Sequence, residues 1–99
     1  MAKMTTLDLV HEKSEEIRQI AAKHGVLSIR LFGSVARDEA KPESDIDFLV
    51  EVGPDTSPWF PAGLMVDLED ILGRRIEVVV ERALNDRIRD RVLQEAVPI

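Results

Sequence analysis

Two aspartates separated by one residue, Asp45 and Asp47, have the spacing and chemistry of a metal-binding pair. They alternate with Ile46 and Phe48, a period of two that predicts a strand with both carboxylates on one face. Such carboxylates can bind one pair of hard cations, and magnesium prefers oxygen ligands that leave room for phosphates. The pair therefore predicts a two-metal site for in-line displacement at phosphorus, although an isolated Asp-x-Asp is more often a turn or a cap.

Glu77 is the candidate for a third carboxylate. It lies near the start of a predicted strand, on the face opposite its apolar residues. From there it could complete the shell of one metal and orient or deprotonate an acceptor hydroxyl. Taken alone, Glu77 is more simply interpreted as an exposed strand residue.

Gly33 and Ser34 end another predicted strand and could contact phosphates. Glycine lets the backbone approach a phosphate closely, the amides that follow are donors, and Ser34 adds a hydroxyl. Arg37 and Lys41 follow on the connector, and Arg37 is the nearer of the two for neutralising triphosphate charge. A Gly-Ser after a strand is usually only a turn, so this interpretation depends on the paired aspartates that follow after ten intervening residues.

The apolar pattern predicts the elements that position these residues. The connection over 33–45 is short, which predicts that the first two strands are antiparallel. The expected fold is α/β or α+β: a mixed sheet of three to four strands flanked by helices, in a single domain over 1–99. The predicted strands are 26–32, 45–52 and 76–81. The predicted helices are 6–24, 62–72 and 85–96, with a further short helix of one or two turns on the connector over 35–44.

The same periodicities predict which side chains are buried. The residues expected on the buried face of the first strand are Leu27, Ile29 and Leu31. The residues expected to face inward from the last helix are Ile88, Val92 and Leu93. His11 and His24 are expected on helix surfaces. Trp59 and Phe60, flanked by prolines, either anchor a partner or plug the edge of the core.

Composition excludes several classes of function. The chain has 99 residues, no cysteine and two histidines, which argues against disulfide, thiolate and ordinary zinc chemistry. Its net charge of −6 argues against direct nucleic-acid binding. Arginines in the last quarter are interleaved with acids and are interpreted as a solvated, ion-paired face. No long apolar segment is present, so no membrane association and a cytoplasmic location are expected.

Four segments of the sequence resemble a known family. Residues 31–37 and 44–50, Leu-Phe-Gly-Ser-Val-Ala-Arg and Ser-Asp-Ile-Asp-Phe-Leu-Val, resemble the signature of the DNA polymerase beta-like nucleotidyltransferases. Residues 72–79 and 91–96 resemble the third-carboxylate strand and the final helix of the minimal nucleotidyltransferase (MNT) family. The resemblance covers nearly the whole chain.

The resemblance implies an antitoxin that forms a hetero-oligomer with a HEPN-domain ribonuclease toxin. It implies Mg²⁺-dependent transfer of AMP from ATP to a tyrosine hydroxyl of that toxin. By position, Gly33 and Ser34 would contact phosphates, while Asp45 and Asp47 would bind magnesium with Glu77 as third ligand. The alternatives are an antitoxin that neutralises its toxin by binding alone and, less favoured, transfer to a small-molecule hydroxyl.

Two residues depart from the family pattern. Asp38 stands where the family usually has glycine, and aspartate tolerates a left-handed conformation but adds negative charge near the phosphates. Glu77 stands where the family commonly has aspartate, and its extra methylene would displace the carboxylate. Weaker nucleotide binding and weaker catalysis are the expected consequences.

Overall fold

The computed structural model describes residues 4–41 and 43–99. Its helices begin and end close to the predicted positions, and a 3₁₀ turn over Glu81–Ala83 follows the third strand. The strands are β1 (Val26–Phe32), β2 (Ile46–Val52), β3 (Ile76–Val80) and β4 (Val97–Pro98). The helices are α1 (Thr6–Glu12), α2 (Ser14–Lys23), α3 (Gly33–Ala36), α4 (Ala62–Leu72) and α5 (Asp86–Glu95).

The four strands form one mixed sheet in the order β3-β2-β1-β4. β1 is antiparallel to both β2 and β4, whereas β2 and β3 are parallel. The α4 crossover makes the parallel pairing possible, because parallel neighbours need a connection that returns the chain to the same sheet edge. The predicted mixed sheet flanked by helices, an α+β fold, is confirmed.

β2 is buried on both faces. Ile46, Phe48 and Val50 pack into the main core beneath α2 and α4, and each is fully buried. Leu49 points the other way and packs with Leu84 and Val92. A central strand covered on both sides is held firmly in register, so the residues at its start have a fixed position.

The burial predicted for β1 is wrong at one residue. Ile29 and Leu31 are buried as expected, but Leu27 is 69% exposed. The register with β2 shifts between Val26 and Ser28, which is a bulge. A bulge adds one residue to a strand and reverses the faces on one side of it, so Val26 takes the buried position instead.

Three further element predictions need correction. The helix expected over 6–24 is interrupted at Lys13, whose backbone angles (φ −97°, ψ 13°) depart from helical values, so it forms α1 and α2. The third strand ends at Val80, one residue early. Ile88 is 42% exposed and lines a surface hollow with Gly33 and Arg37, whereas Val92 is the residue that α5 buries.

His24 is buried, contrary to the surface position predicted for it; His11 is exposed as expected. The His24 ring lies between two polar partners, with Nε2 at 2.7 Å from Asp67 Oδ2 and Nδ1 at 2.6 Å from Ser57 Oγ. A carboxylate only accepts, so Nε2–H donates to Asp67 and Nδ1 accepts from the Ser57 hydroxyl. The ring thereby connects the end of α2 to the loop and helix that follow β2.

The last quarter of the chain is only partly the solvated, ion-paired face that was predicted. Arg75, Arg82, Arg87 and Arg91 are exposed. Among the residues that the structure describes, Arg89 with Asp86, at 3.9 Å, is the ion pair within this segment. Arg74 is not a solvated member of this face, because its guanidinium donates hydrogen bonds to residues in earlier parts of the chain. None of the helices within 4–41 and 43–99 is long and apolar enough to cross a membrane.

Candidate active site

Asp45, Asp47 and Glu77 come together at one end of the sheet. Asp47 is the second residue of β2 and pairs in register with Glu77 of β3. Residues paired in a ladder direct their side chains to the same face, so the two carboxylates are neighbours. Asp45 immediately precedes β2 and is close enough to Asp47 to repel its charge. The parallel β2–β3 pairing therefore positions the third carboxylate beside the paired aspartates.

The surroundings of Asp47 make its carboxylate harder to ionise. Its pKa is raised from 3.8 to about 6, mainly because burial disfavours the charged form and then because Asp45, Glu77 and Glu95 repel it. Arg37 opposes the shift. A divalent cation placed here would relieve both the burial penalty and the repulsion, so the donor set suits a hard, oxygen-loving ion.

The carboxylates do not form a closed metal cage in this conformation. Among residues 4–41 and 43–99, no group of three or more His, Cys, Asp or Glu side chains is arranged to hold a metal ion. Magnesium in phosphoryl-transfer sites is usually held by one or two carboxylates together with substrate phosphates and water. Asp45 and Asp47 can supply that share, and the assignment of Glu77 as a metal ligand stays a prediction.

Gly33 brings the end of β1 against Asp47. Phe32 pairs with Asp47 across the antiparallel ladder, and the next residue turns away with φ at +78°. A Cβ at residue 33 would overlap Asp47 Oδ2 and lie 3.2 Å from its Cγ. Only glycine allows this approach, so the predicted phosphate loop and the predicted metal ligand are adjacent.

Ser34 and Arg37 flank this contact on the short helix α3. Ser34 is half-buried, and Arg37 follows the last helical residue with its side chain 46% exposed. The guanidinium pairs with Glu95 and, at 3.2 Å, with Glu39; these partners raise the pKa of Arg37 above its usual value. Arg37 therefore lies near Asp47, whereas the Lys41 side chain is exposed on the connector, and nucleotide binding by Arg37 stays a prediction.

Glu95 is a site residue that the sequence reasoning missed. It is the last residue of α5, and its carboxylate accepts from the Gly33 amide at 3.3 Å and from the Arg37 guanidinium. A carboxylate at a helix C-terminus is opposed by the helix dipole, which was a signal available in the sequence. Placing it at the site, however, required β4, since that strand fixes the end of α5 beside β1.

Asp38 has the left-handed conformation expected where the family has glycine, with φ at +56°. The carboxylates that raise the pKa of Asp47 are Asp45, Glu77 and Glu95, so Asp38 is not among the charges that act on it. Asp38 instead lines a surface hollow with Thr6 and Arg74. Weaker nucleotide binding caused by the charge of Asp38 stays a prediction.

Arg74 is the second residue whose role sequence reasoning missed. Its guanidinium donates to Thr6 Oγ1 at 2.7 Å, to the Lys41 carbonyl at 3.3 Å and to the Ser44 carbonyl. These bonds tie the connector that precedes β2 to the start of α1. Arg74 thus holds the backbone at Ser44, the residue before Asp45, and none of its described hydrogen bonds goes to Asp45 itself.

Comparison with known proteins agrees with this geometry. A family model described as nucleotidyltransferase domain matches residues 14–99. The chain belongs to the nucleotidyltransferase family. Family membership confirms the predicted fold and the predicted class of nucleotidyl-transfer enzyme, and the relatives identify the MNT branch.

Two archaeal relatives of this nucleotidyltransferase are named as protein adenylyltransferases. One, from Methanocaldococcus jannaschii, is 39% identical over 91% of this chain and 97% of its own length. The other, MntA of Thermococcus cleftensis, is 33% identical over 98% of both chains.

Solved structures share its fold. A structure named as a minimal nucleotidyltransferase has a TM-score of 0.85 and 38% identity over the whole of both chains. A chain in a complex of a tri-AMPylated Shewanella oneidensis HEPN toxin with an MNT antitoxin has a TM-score of 0.64 and 20% identity, covering 93% of this chain and 70% of that one. At that identity the second likeness shows the fold alone.

Proposed function

We propose that this nucleotidyltransferase is an antitoxin that transfers AMP from ATP to a tyrosine hydroxyl of a HEPN ribonuclease toxin and thereby neutralises it. The observation that carries the proposal is the juxtaposition of Gly33 with Asp47, and of Asp47 with Glu77, at one end of the sheet. The names of the archaeal relatives support protein adenylylation, and the S. oneidensis complex suggests a HEPN toxin as the acceptor.

The proposed chemistry assigns each site residue a task. Asp45 and Asp47 would hold Mg²⁺, with Glu77 as third ligand; when bound, magnesium would supply charge neutralisation at the α-phosphate and the leaving pyrophosphate. The Gly33 amide, the Ser34 hydroxyl and Arg37 would bind the phosphates.

The reaction forms one bond and breaks one. The acceptor oxygen bonds to the α-phosphorus, and the bond from that phosphorus to the bridging oxygen breaks, with its electron pair leaving on pyrophosphate. The proton of the acceptor hydroxyl passes to a carboxylate, for which Glu77 is our candidate, because it lies next to Asp47 and is exposed to an incoming substrate.

An open site suits a protein acceptor. Glu77 is exposed and Asp47 only half-buried, so an acceptor carried on another protein could reach them. Trp59 is 79% exposed and does not plug the core, whereas Phe60 packs against the core. Trp59 therefore becomes our candidate anchor for the toxin in a cytoplasmic hetero-oligomer.

Neutralisation by binding alone is the second candidate. The observation that favours it is that Asp38 and Glu77 stand where the family usually has glycine and aspartate, which fits a relaxed demand for catalysis. Under this hypothesis the fold is retained, the toxin is occluded, and substitutions of the paired aspartates leave neutralisation intact.

Incubation of the chain with ATP, Mg²⁺ and its toxin partner separates the two candidates. We expect AMP-sized mass additions on a tyrosine of the partner, and we expect Asp45→Asn and Asp47→Asn to abolish them. Glu51→Gln is the matched control, because Glu51 is an exposed carboxylate at the far end of the same strand. Absence of any addition, with neutralisation preserved in both aspartate variants, would favour binding alone.

A further inference from the structure

Glu95 uses the same two donors that the proposed function assigns to the triphosphate. One carboxylate oxygen, Oε2, accepts from the Gly33 amide at 3.3 Å, and Oε1 accepts from the Arg37 guanidinium. The side chain is 19% exposed, so this is not a loosely solvated surface contact. The Glu95 carboxylate therefore already occupies the two donors that the proposed function assigns to phosphate oxygens.

The surroundings of Glu95 are electrostatically unfavourable apart from these two donors. Its position at the end of α5 faces the negative end of the helix dipole. It also adds to the negative field at Asp47, together with Asp45 and Glu77. The contacts with Gly33 and Arg37 compensate for this repulsion, and an incoming polyphosphate competes for both of them.

The backbone holds Glu95 in this position. Two residues later, Val97 of β4 pairs with Leu31 of β1, and Pro98 pairs with Arg30. The end of α5 is thus attached to the strand that leads directly into Gly33. The carboxylate can leave its donors by rotating its side chain, without moving the helix.

We propose that Glu95 sets the nucleotide affinity of this site, because its carboxylate occupies the Gly33 amide and the Arg37 guanidinium until a polyphosphate displaces it. The inference rests on the proposed function, which assigns those donors to the phosphates. The apparent affinity equals the intrinsic affinity multiplied by the fraction of chains in which the donors are free, so removing the competing charge raises it.

Calorimetric titration with MgATP and with magnesium tripolyphosphate tests the competition. Tripolyphosphate lacks base and ribose, so it reports the phosphate contacts alone. We expect Glu95→Gln to lower the Kd of both ligands roughly tenfold relative to the unsubstituted chain. Where AMP transfer is measurable, the KM for ATP falls in Glu95→Gln while kcat changes less, a separation that a general loss of packing would not produce.

Glu39→Gln is the matched control. Glu39 also pairs with Arg37, but its side chain is 66% exposed and accepts no hydrogen bond from Gly33 among the described contacts. Its removal should change either Kd by less than about twofold, because exposed ion pairs contribute little. An equal gain in both variants would show that Arg37 neutralisation alone is responsible and would overturn the role assigned to Glu95.

The remaining outcomes separate this inference from the proposed function. If the unsubstituted chain binds both ligands and Glu95→Gln binds them no more tightly, the competition is disproved while the proposed function stands. If neither chain binds either ligand, the nucleotide site itself is disproved. Should Glu95→Gln fail to fold, the Gly33 amide resonance of the unsubstituted chain decides: it must shift on saturation with magnesium tripolyphosphate, and an unmoved resonance overturns the inference.

Discussion

Asp47 lies so close to Gly33 that any β-carbon at residue 33 would overlap its carboxylate. We predict that Gly33→Ala destabilises the fold by at least about 2 kcal/mol, because a left-handed φ costs about 1–2 kcal/mol for a residue with a side chain and the overlap adds to this. Thermal unfolding measures the loss, and AMP transfer should disappear with it.

Gly73→Ala is the control for that substitution. Gly73 also has a positive φ, at +64°, but nothing lies within 4 Å of the position its Cβ would take. It therefore reports backbone strain alone. Equal destabilisation by the two substitutions would contradict the proposed importance of the Asp47 contact.

Asp47→Asn should stabilise the metal-free protein at neutral pH. A raised pKa means that the folded chain holds the proton more tightly, so this stability is present below the ordinary pKa of 3.8 and lost as pH rises through about 6. Since Asp47 is only half-buried, we discount the gain to about 1 kcal/mol, or a rise in Tm of about 4–8 °C above pH 6.

Thermal unfolding in the presence of a chelator at several pH values checks this prediction. The gain should shrink as pH falls below 6 and vanish well below pH 3.8, where both states are largely protonated. Added Mg²⁺ should stabilise the unsubstituted chain and have less effect on Asp47→Asn. A gain that is independent of pH would contradict the electrostatic explanation, and Glu51→Gln provides the control for loss of a strand carboxylate.

Asp38→Gly should stabilise the fold by about 0.5–1 kcal/mol. Asp38 has φ at +56°, which glycine adopts without strain, although the greater freedom of the unfolded chain offsets part of the gain. Chemical denaturation measures the difference. Glu39→Gly, next in the chain and without a positive φ, should instead destabilise, and stabilisation by both would refute the assignment to strain.

Asp67→Asn should lower stability at neutral pH. The hydrogen bond from His24 is the main cause that lowers the pKa of Asp67, with Lys23 contributing charge. The stabilisation that the Asp67 carboxylate provides is present above its ordinary pKa of 3.8. It is lost as pH falls through the lower pKa that Asp67 has in the folded chain. The difference in Tm should therefore disappear in strong acid, and Asp70→Asn, exposed on the same helix, should show little difference at any pH.

Sequence patterns predicted the bounds of an element correctly where a single periodicity ran through it. β1 and α4 match their predicted bounds, and β2 begins at Ile46, one residue later than predicted. The β1 bulge was hidden because the apolar alternation of Leu27, Ile29 and Leu31 continues through it. β4 has only two residues and no periodicity to detect, so its pairing depends on tertiary contact.

The site was predicted to the extent that it lies on local motifs. Gly33, Asp45 and Asp47 belong to two short runs, and their juxtaposition follows from one antiparallel connection. Glu95 lies 62 residues from Gly33, and its contact depends on where α5 ends. Burial of His24 likewise depends on Ser57 and Asp67, which no local pattern associates with it.

The hydrogen bonds of Arg74 have a consequence for the thermodynamics of ligand binding. They hold the carbonyls of Lys41 and Ser44, and Ser44 directly precedes Asp45. Conformational entropy at Lys41 and Ser44 is therefore lost during folding and not when a ligand arrives. Binding at the paired aspartates should then show a smaller entropic penalty than binding by a free acidic loop, and Arg74 supplies this preorganisation from outside the site.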